Sequence, residues 1–524
     1  MAEERGQQEK DMAAFKRWQY LSPIDCFIPP QYVRQFLCFP TSGPSSILAL
    51  KEGLEKTISL IPQLSSSLVP SSSLCHSVTP PSSCRLNRFV LGSPRRHGIA
   101  DVFSEGPADL VRDWKYTSLR RAGFPNNLLS RDAFLPPLPH FPAVDEPAPA
   151  FRVRATQIPG GTVVCVCWHH GLADLGGMDS VMKTWSYFCQ QRYSEGEPGQ
   201  TRASSAAASL NRPMVECDRR AVFAPILDNS TGTTNDPVPP ADIHVLDTIP
   251  PVLTPGLMAQ LPLETAHFRI PIGVVQDLKT RVQKHLPAEV RLSTNDLICA
   301  MMWSATTSAM ANLSPTQNAA VAGSRLDDEV SMGLSVDMRQ RLGPHIPDSF
   351  IGNALAMAWP TVSRRVLLSA AQAAPGDDQS SSSFPSLAEV ASHIRLSHEA
   401  LNEGYFRDLV AYLGCHNGDK DTRKLQWGPG PSQTNMVAAT WRGLQLDSVD
   451  WGAEVGQCEA VRTRLPFPHT ITILPRTVGS QSVDVAYCLL APTMQRLKSC
   501  RVIQEYWEEL KDDETRAEGQ ESTS

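Results

Sequence analysis

The most distinctive pattern along the chain is an apolar run that ends in two histidines. Residues 163–168 are all apolar, His169 and His170 follow, and Asp174 lies four residues after His170. From residue 178 to residue 189, apolar side chains recur at spacings of three and four, as on one face of a helix. The pattern predicts a buried strand, a turn that carries the histidines, and a helix.

Similar patterns predict the elements around this segment. Phe151–Ala155 and Thr162–Trp168 form a predicted hairpin, because Pro159-Gly160-Gly161 lies between them. The other predicted elements are an early strand over Leu21–Pro40, an amphipathic helix from Ile47 to Ile61, a helix capped by Ser293–Asp296, and a helix from about Leu387 to Leu413.

Length and composition divide the predicted fold into two domains. A chain of 524 residues is too long for one ordinary hydrophobic core. Residues 201–260 are dominated by small and turn-forming residues without periodicity, and they are predicted to be a crossover linker. The predicted domains are therefore residues 1–200 and residues 261–510, followed by a disordered tail over 511–524.

Composition and charge exclude several classes of function. The net charge of −6 and the pI near 6.1 argue against a nucleic-acid partner, which needs a basic surface. The chain has no apolar run long enough for a membrane span, and its polar N-terminus is unlike a signal peptide. The 13 cysteines include no Cys-x-x-Cys pair, which is typical of reduced, structural cysteines in a cytoplasmic protein.

His170 is the candidate general base. A strand end fixes an imidazole, while the following turn leaves it accessible. The spacing to Asp174 decides nothing, because His97 and Asp101 repeat it without an apolar run before them. His169 and His170 are neighbours that point opposite ways on a strand, so only one of them faces a site. On the residues alone, a core histidine satisfied by its neighbours is an equal alternative.

Other catalytic chemistry lacks its motif in this chain. There is no Gly-x-Ser-x-Gly, Gly-x-Gly-x-x-Gly, Walker or His-Glu-x-x-His pattern, so no serine nucleophile, nucleotide site or metal is predicted. Cys167 with a histidine is an unattractive nucleophile, because a buried thiol has little thiolate character. A lone base is sufficient where the electrophile is already activated, as a thioester is.

Several segments, in order along the chain, resemble the BAHD-type acyltransferases, and most closely the fungal branch around trichothecene 3-O-acetyltransferase. His170 to Asp174 matches the His-x-x-x-Asp signature, and Trp185 lies where the family helix often has a tryptophan. The other matching segments are Leu21–Asp25 (the opening strand), Ser293–Trp303 (the second-domain helix), Val336–Arg339, Gly352–Asn353, Thr440–Arg442 and Asp450–Gly452.

The resemblance implies an α/β fold of two chloramphenicol-acetyltransferase-like domains. Each domain has a mixed β-sheet flanked by helices, and the active site lies in the channel between them. The implied reaction is O-acylation of a hydroxyl on a secondary metabolite, with acyl-CoA as donor, acetyl-CoA being the expected one. The enzyme is expected to be a monomer without a metal.

The resemblance also assigns roles to residues. His170 is the implied general base, and Asp174 orients the motif turn by pairing with Arg339. Asp450 and Gly452 give structural support. The residues implied to contact substrate are Thr440, Trp441 and Trp303. On the residues alone, Arg339 as a solvated charge and Trp441 as an ordinary core residue remain alternatives.

Two departures from the family pattern and two other functions remain open. Leu175 replaces a preferred glycine, so Gly176 and Gly177 are expected to take up the bend. The loop from Asp450 to Glu454 keeps only the first and third residues of the usual motif, so the CoA contacts are less defined than the reaction. A condensation-domain-like enzyme that uses a carrier-protein thioester is one alternative function. A non-catalytic binding member of the fold is the other.

Overall fold

A computed structural model gives the fold over most of the chain. It describes residues 19–70, 89–91, 99–143, 146–191, 214–228, 238–248, 260–311, 325–376, 382–415, 424–430, 434–444, 446, 449–464 and 467–510. His97 and the predicted tail over 511–524 lie outside the described residues. None of the helices described is both long enough and apolar enough to cross a membrane.

The described residues contain strands and helices throughout. The strands are β1 (Gln19–Tyr20), β2 (Tyr32–Phe39), β3 (Ser67–Pro70), β4 (Phe89–Leu91), β5 (Phe103–Glu105), β6 (Ala148–Pro149), β7 (Phe151–Ile158), β8 (Gly161–His169), β9 (Ile243–Val245), β10 (Leu263–Pro271), β11 (Glu329–Asp337), β12 (Leu355–Ala358), β13 (Thr361–Ser363), β14 (Leu425–Trp427), β15 (Thr434–Thr440), β16 (Ala460–Thr463), β17 (Thr470–Ile473), β18 (Ser482–Leu490) and β19 (Glu508–Glu509). The helices are α1 (Pro23–Phe27), α2 (Pro44–Leu60), α3 (Ile99–Val102), α4 (Tyr116–Arg121), α5 (Asn126–Leu129), α6 (Leu175–Gln191), α7 (Arg219–Asp228), α8 (Ile272–Gln283), α9 (Thr294–Ala311), α10 (Arg364–Ala370), α11 (Ser383–Ala400), α12 (Glu403–Cys415), α13 (Ala491–Lys498) and α14 (Arg501–Tyr506).

Two mixed sheets organise the fold, as predicted for an α/β protein. The first sheet has five strands in the order β16-β2-β8-β7-β5, with β5 parallel to β7 and the other pairs antiparallel. The second has eight strands, in the order β12-β11-β15-β17-β18-β10-β19 with β13 also paired to β11. Its β11-β15 and β15-β17 pairs are parallel.

The apolar run becomes the central strand of the first sheet. All nine residues of β8 are buried, because β2 and β7 pair along its two edges and helices cover its face. Helix α6 packs with α2 on that face, and the Trp185 indole nitrogen donates to the Leu50 carbonyl at 2.8 Å. Full burial of such a large apolar side chain contributes about 1.5–3 kcal/mol. The strand–turn–helix prediction is confirmed, as are the hairpin and the predicted helices at α2 and α9.

The predicted early strand is wrong in its first part. Pro23–Phe27 is a helix, because Ser22 and Asp25 form a reciprocal capping box and proline occupies the first helical position. The strand begins only at Tyr32. The segment Leu21–Asp25 is therefore a helix cap and not an opening strand.

The predicted long helix near the middle of the second half is also wrong. It is two helices, α11 and α12, separated at Leu401 and Asn402. The Arg341 guanidinium donates to the carbonyls of His398 and Leu401, which ends α11. The Asn402 side chain accepts from the Tyr405 amide at 2.9 Å, which starts α12.

The predicted crossover linker is more ordered than its composition indicates. Within residues 201–260, the structure describes helix α7 and strand β9, and β9 pairs with β14. The domain boundaries remain predictions. A division of the chain at one position does not separate the two sheets, because β16 from the second half of the chain pairs with β2 of the first sheet.

Candidate active site

The two motif histidines have different positions, as the strand geometry predicts. His169 ends β8, is 1% exposed, and accepts a hydrogen bond on Nδ1 from the Gly171 amide at 3.0 Å. His170 begins the turn and is partly exposed. Its amide donates to the Gln31 carbonyl at 2.8 Å, which ties the turn to the segment before β2. His169 therefore packs and braces the turn, and His170 is the histidine that can meet a substrate.

The surroundings of His170 favour a neutral imidazole. Burial lowers the pKa of His170 below its ordinary value of 6.5, while hydrogen bonding to its own carbonyl and to Asn353, together with the Asp174 charge, opposes part of that effect. The Nδ1 atom is buried, so Nε2 is the nitrogen that can face a substrate. A ring that is neutral near pH 7 can accept a proton, which is what a general base requires.

Asp174 and Arg339 form a buried bidentate ion pair between the two halves of the chain. Arg339 Nη2 donates to Asp174 Oδ1 at 2.8 Å and Nη1 donates to Oδ2 at 3.0 Å. The Arg339 side chain is 2% exposed, which rules out a solvated charge. Burial alone would lower the pKa of the Arg339 guanidinium, but Asp174 and Asp337 outweigh that effect and raise it.

The Asp174 carboxylate has no free acceptor position within this arrangement. Its Oδ1 also accepts from the Gly177 amide at 2.9 Å, and its Oδ2 from the Ala354 amide at 2.7 Å. Arg339 in turn donates to the carbonyls of Phe350 and Gly352. The carboxylate thus joins Arg339 and Ala354 of the second half of the chain to the start of α6 in the first half.

The glycines after the motif serve close packing and not a bend. Gly176 and Gly177 lie in α6 without a positive φ, so the expectation that they take up the bend is wrong. A Cβ at Gly176 would lie 2.7 Å from Arg339 Nη1, and one at Gly177 would lie 3.1 Å from the Gly352 carbonyl oxygen. Leu175 is the first helical residue and fits there without strain.

The three residues predicted to contact substrate are in different surroundings. Thr440 ends β15, is exposed, and accepts from the Asn295 side chain at 3.2 Å at the start of α9. Trp441 is 7% exposed and belongs to the core beneath β8. Trp303 is fully buried in the core of the second half, so it offers a ligand no surface. Of the three, only Thr440 has substantial exposed surface.

The Asp450–Gly452 loop packs against the far end of α6. The Gln190 side chain donates to the Asp450 carbonyl, and a Cβ on Gly452 (φ +85°) would lie 3.1 Å from Gln190 Cα. Trp451 between them is fully buried, with ring centroids 5.2 Å from Trp185. The loop therefore contacts the motif helix and lies away from the motif turn, in keeping with the support role expected of it.

Alternative chemistry at this site finds no support. Cys167 is fully buried on β8, and burial raises the pKa of its thiol to about 11. A thiol of that kind carries almost no thiolate at neutral pH, which excludes it as the nucleophile. Within the part of the chain that the structure describes, no group of three or more His, Cys, Asp or Glu residues could hold a metal ion.

Sequence reasoning missed a second buried polar cluster behind the turn, formed by Asp25, Arg219 and Asn353. Arg219 Nε donates to Asp25 Oδ2 at 2.7 Å, and Asn353 donates to Asp25 Oδ1 through its amide and its side chain, both at 2.8 Å. Asp25 and Asn353 lie in segments that carry the resemblance, so that signal was available. Arg219 lies where the sequence has no periodic pattern, and nothing marked it.

Comparison with known proteins identifies relatives over nearly the whole chain. Residues 126–501 match the model of the transferase family. O-acetyltransferase ptmV of Penicillium ochrochloron is 24% identical and covers 91% of this chain and 94% of its own. Fumigaclavine B O-acetyltransferase easN of Aspergillus fumigatus is 22% identical and covers 86% and 87%.

Solved structures share the fold. The structure of TRI101 from F. sporotrichioides, complexed with coenzyme A and T-2, has a TM-score of 0.68 at 19% identity. It covers 94% of this chain and all of the TRI101 chain. Vinorine synthase has a TM-score of 0.54 at 14% identity, with 94% of each chain covered.

Proposed function

Since this chain belongs to the transferase family of BAHD-type acyltransferases, we propose that it transfers an acyl group from acyl-CoA to a hydroxyl, with His170 as the general base. The chain is an acyltransferase of secondary metabolism. The observation that carries the assignment of the base is the partly exposed His170 imidazole, neutral by burial, on a turn held by the Asp174–Arg339 pair. That arrangement supplies one positioned base and no nucleophile, which suits an activated thioester donor.

The proposed reaction passes through one tetrahedral intermediate. His170 Nε2 takes the proton of the acceptor hydroxyl as its oxygen attacks the thioester carbonyl carbon. The intermediate collapses, the carbon–sulfur bond breaks, and the CoA thiolate leaves with the proton that the imidazolium returns. The products are the ester and CoA, and His170 is neutral again. No acyl-enzyme is required, in keeping with the buried, protonated Cys167 thiol.

The substrates are proposed from the relatives and from the exposed position of Thr440 at the end of β15. Acetyl-CoA is the proposed donor, since the curated relatives include several O-acetyltransferases and the TRI101 structures contain coenzyme A or ethyl coenzyme A. The proposed acceptor is an alcohol of a terpenoid, alkaloid or polyketide. Thr440 is the proposed acceptor-side contact, because it is exposed at a strand end.

The compartment and assembly are also proposals. We infer that the protein acts in the cytosol as a monomer. Cys38, Cys165 and Cys167 are free, buried thiols, which is typical of a protein from a reducing compartment.

The test is acyl transfer by the purified protein. Acetyl-CoA and an acetyl thioester bound to a carrier protein are each offered with a panel of fungal terpenoid, alkaloid and polyketide alcohols, and thiol release and ester mass are measured. Transfer from acetyl-CoA supports the proposal. Transfer only from a carrier-bound acetyl thioester would favour the condensation-domain alternative, and binding of the alcohols without transfer would favour a non-catalytic member. Metabolite profiling after deletion of the gene identifies the acceptor.

The His170→Ala variant tests the base. It should fold and lose acyl transfer by roughly 10²–10⁴-fold, the usual contribution of a positioned general base. His97→Ala is the matched control, because His97 has the same spacing to an aspartate but no apolar strand before it. It should keep parental turnover. Near-normal turnover in His170→Ala, or loss of turnover in His97→Ala alone, would overturn the assignment.

A further inference from the structure

The carbonyl groups of the catalytic turn are held by side chains from two distant segments. Asn353 Nδ2 donates to the His170 carbonyl at 2.9 Å, and Arg219 Nη2 donates to the Leu172 carbonyl at 2.5 Å. Both side chains also donate to the same carboxylate, that of Asp25. Asp25, Arg219 and Asn353 are buried, and the most exposed of them, Arg219, is 4% exposed.

The Asp25 carboxylate is fully occupied by these partners. Its Oδ1 accepts two bonds from Asn353, and its Oδ2 accepts one from Arg219 and one from the Ser22 amide at 2.9 Å. The carboxylate therefore fixes Arg219 and Asn353 relative to each other. Such a charge-assisted cluster, once closed, holds its members at defined positions.

One atom of this cluster, Asn353 Oδ1, accepts no hydrogen bond from the other members of the cluster. Asn353 Nδ2 donates to two acceptors, so Oδ1 is turned the other way, where it is buried. A buried oxygen left unsatisfied costs about 1–3 kcal/mol. The donor available to it is the buried Nδ1 of the His170 imidazole, a ring that interacts with the Asn353 side chain as well as with its own carbonyl.

We propose that Asn353 is a positioning residue for the general base, and that Asp25 and Arg219 hold it in place. This inference rests on the proposed function of His170. Through Nδ2, Asn353 fixes the His170 carbonyl and with it the turn. Through Oδ1, it favours the tautomer with the proton on Nδ1, which leaves the lone pair on Nε2 for the substrate. A displacement of about 1 Å at the base can cost roughly 10²-fold in rate.

The electrostatics of the ring agree with this role. The hydrogen bond that the ring donates to Asn353 raises the pKa of His170 against the larger effect of burial. The charged groups that act on the imidazole are Asp174 and Asp25, with Arg339 and Arg219 paired to them. Replacing Asn353 by alanine leaves these four charges in place, so a change in the titration of His170 would report the loss of the carboxamide.

The test measures His170 directly and needs no acceptor. Carbethoxylation of His170 by diethyl pyrocarbonate is followed by mass spectrometry between pH 5 and pH 8, in the parent and in Asn353→Ala and Asn353→Ser. The midpoint of the labelling curve should fall by about half a pH unit or more in both variants, because the hydrogen bond that raises the pKa is lost. An unchanged midpoint in both variants would overturn the proposal.

A matched pair of arginine variants separates positioning from general stability. Arg219→Lys is compared with Arg462→Lys, because Arg462 is also fully buried, paired with a carboxylate and bonded to a backbone carbonyl, but has no bond to the turn. Both should lower the melting temperature. At a temperature where each is folded, only Arg219→Lys should lower kcat, by about tenfold or more, with the KM for acetyl-CoA within twofold.

The outcomes of the two kinds of experiment are distinguishable. Equal kcat values for Arg219→Lys and Arg462→Lys would show that the Asp25 cluster only stabilises the fold. If the parent transfers acetyl to no alcohol while the labelling midpoint falls in the Asn353 variants, the proposed function fails and the positioning of His170 stands.

Discussion

The Asp174–Arg339 pair gives the sharpest test of how the motif works, through the variant Asp174→Asn. Each Asp174 oxygen accepts from one guanidinium nitrogen and one backbone amide, those of Gly177 and Ala354. Asparagine replaces one of the two oxygens by an NH₂ group. In either orientation, that group faces two donors and can satisfy neither, so the substitution loses a charge and at least two hydrogen bonds.

The magnitude follows from burial. Breaking a buried pair by removing one partner costs about 3–5 kcal/mol, because the remaining charge is left uncompensated. Asp174→Asn and Arg339→Met should each cost this much, against a total stability of about 5–15 kcal/mol for a typical domain. In the double variant both charges are gone and neither is left unpaired, so its cost should be smaller than that of either single variant.

Asp337→Asn is the matched control on the same guanidinium. Arg339 Nη1 bonds Asp337 at 3.0 Å, but the Asp337 side chain is 52% exposed. Loss of that exposed partner should cost at most about 1 kcal/mol. Melting followed by circular dichroism should therefore rank Asp174→Asn and Arg339→Met lowest, the double variant above both of them, and Asp337→Asn close to the parent.

Activity decides between a structural and a direct role for Asp174. If the pair acts on the shape of the turn, the loss of kcat in each variant should follow its loss of melting temperature, and the double variant should recover part of both. An Asp174→Asn protein that melts like the parent yet loses turnover would refute this reasoning. Asp174 and His170 would then act as a catalytic dyad.

Three further predictions concern pH and packing. Because burial lowers the pKa of His170 below the ordinary histidine value of about 6.5, kcat should stay level from pH 8 to about 6.5 and fall only at lower pH, where the base becomes protonated. A fall in kcat that begins above pH 7 in steady-state assays would contradict the assignment. Gly176→Ala would place a Cβ 2.7 Å from Arg339 Nη1, so it should lower kcat and should also lower the melting temperature through a cost of about 1–3 kcal/mol. In the control Gly273→Ala, the added Cβ has no atom within 4 Å, so neither kcat nor the melting temperature should fall. Burial, with Arg462 nearby, lowers the pKa of His267 to about 3, so below pH 6.5 the unfolded chain binds a proton that the folded protein does not, and the free energy of unfolding should fall by about 1.4 kcal/mol per pH unit because of this residue. The urea midpoint of His267→Gln should therefore fall less than that of the parent between pH 6.5 and pH 5. Equal falls in the two proteins would show that His267 is not responsible.

The local pattern of the sequence was sufficient for the elements around the motif. The spacing of the apolar positions predicted β8 and α6, because a buried strand has a continuous apolar run and a helix with one buried face has apolar residues every three or four positions. Both patterns can be recognised without information about distant residues. The capping residues at Ser293 and Asp296 likewise marked the start of α9. The Asp174–Arg339 pairing came from the resemblance and not from spacing, since the two residues lie 165 positions apart.

Local patterns failed where a side chain from a distant part of the sequence ends or anchors an element. The apolar residues from Leu387 to Leu413 predict one helix, but Arg341 ends it by bonding two of its carbonyls. The composition of residues 201–260 predicts a linker, but helix α7 begins at Arg219, which is buried against Asp25. Trp303 lies in a matched segment, yet its place in the core removes it from any ligand.

The sequence alone thus determined the sheet-and-helix class, the strand that ends in a histidine, and that histidine as the candidate base. Tertiary structure decided which groups hold the base. Asn353 lies 183 positions from His170, and Asp25 lies 194 positions from Arg219 and 328 from Asn353. The physical reason is that a hydrogen bond needs its two atoms about 3 Å apart, and only the folded chain brings partners so far apart in sequence to that distance.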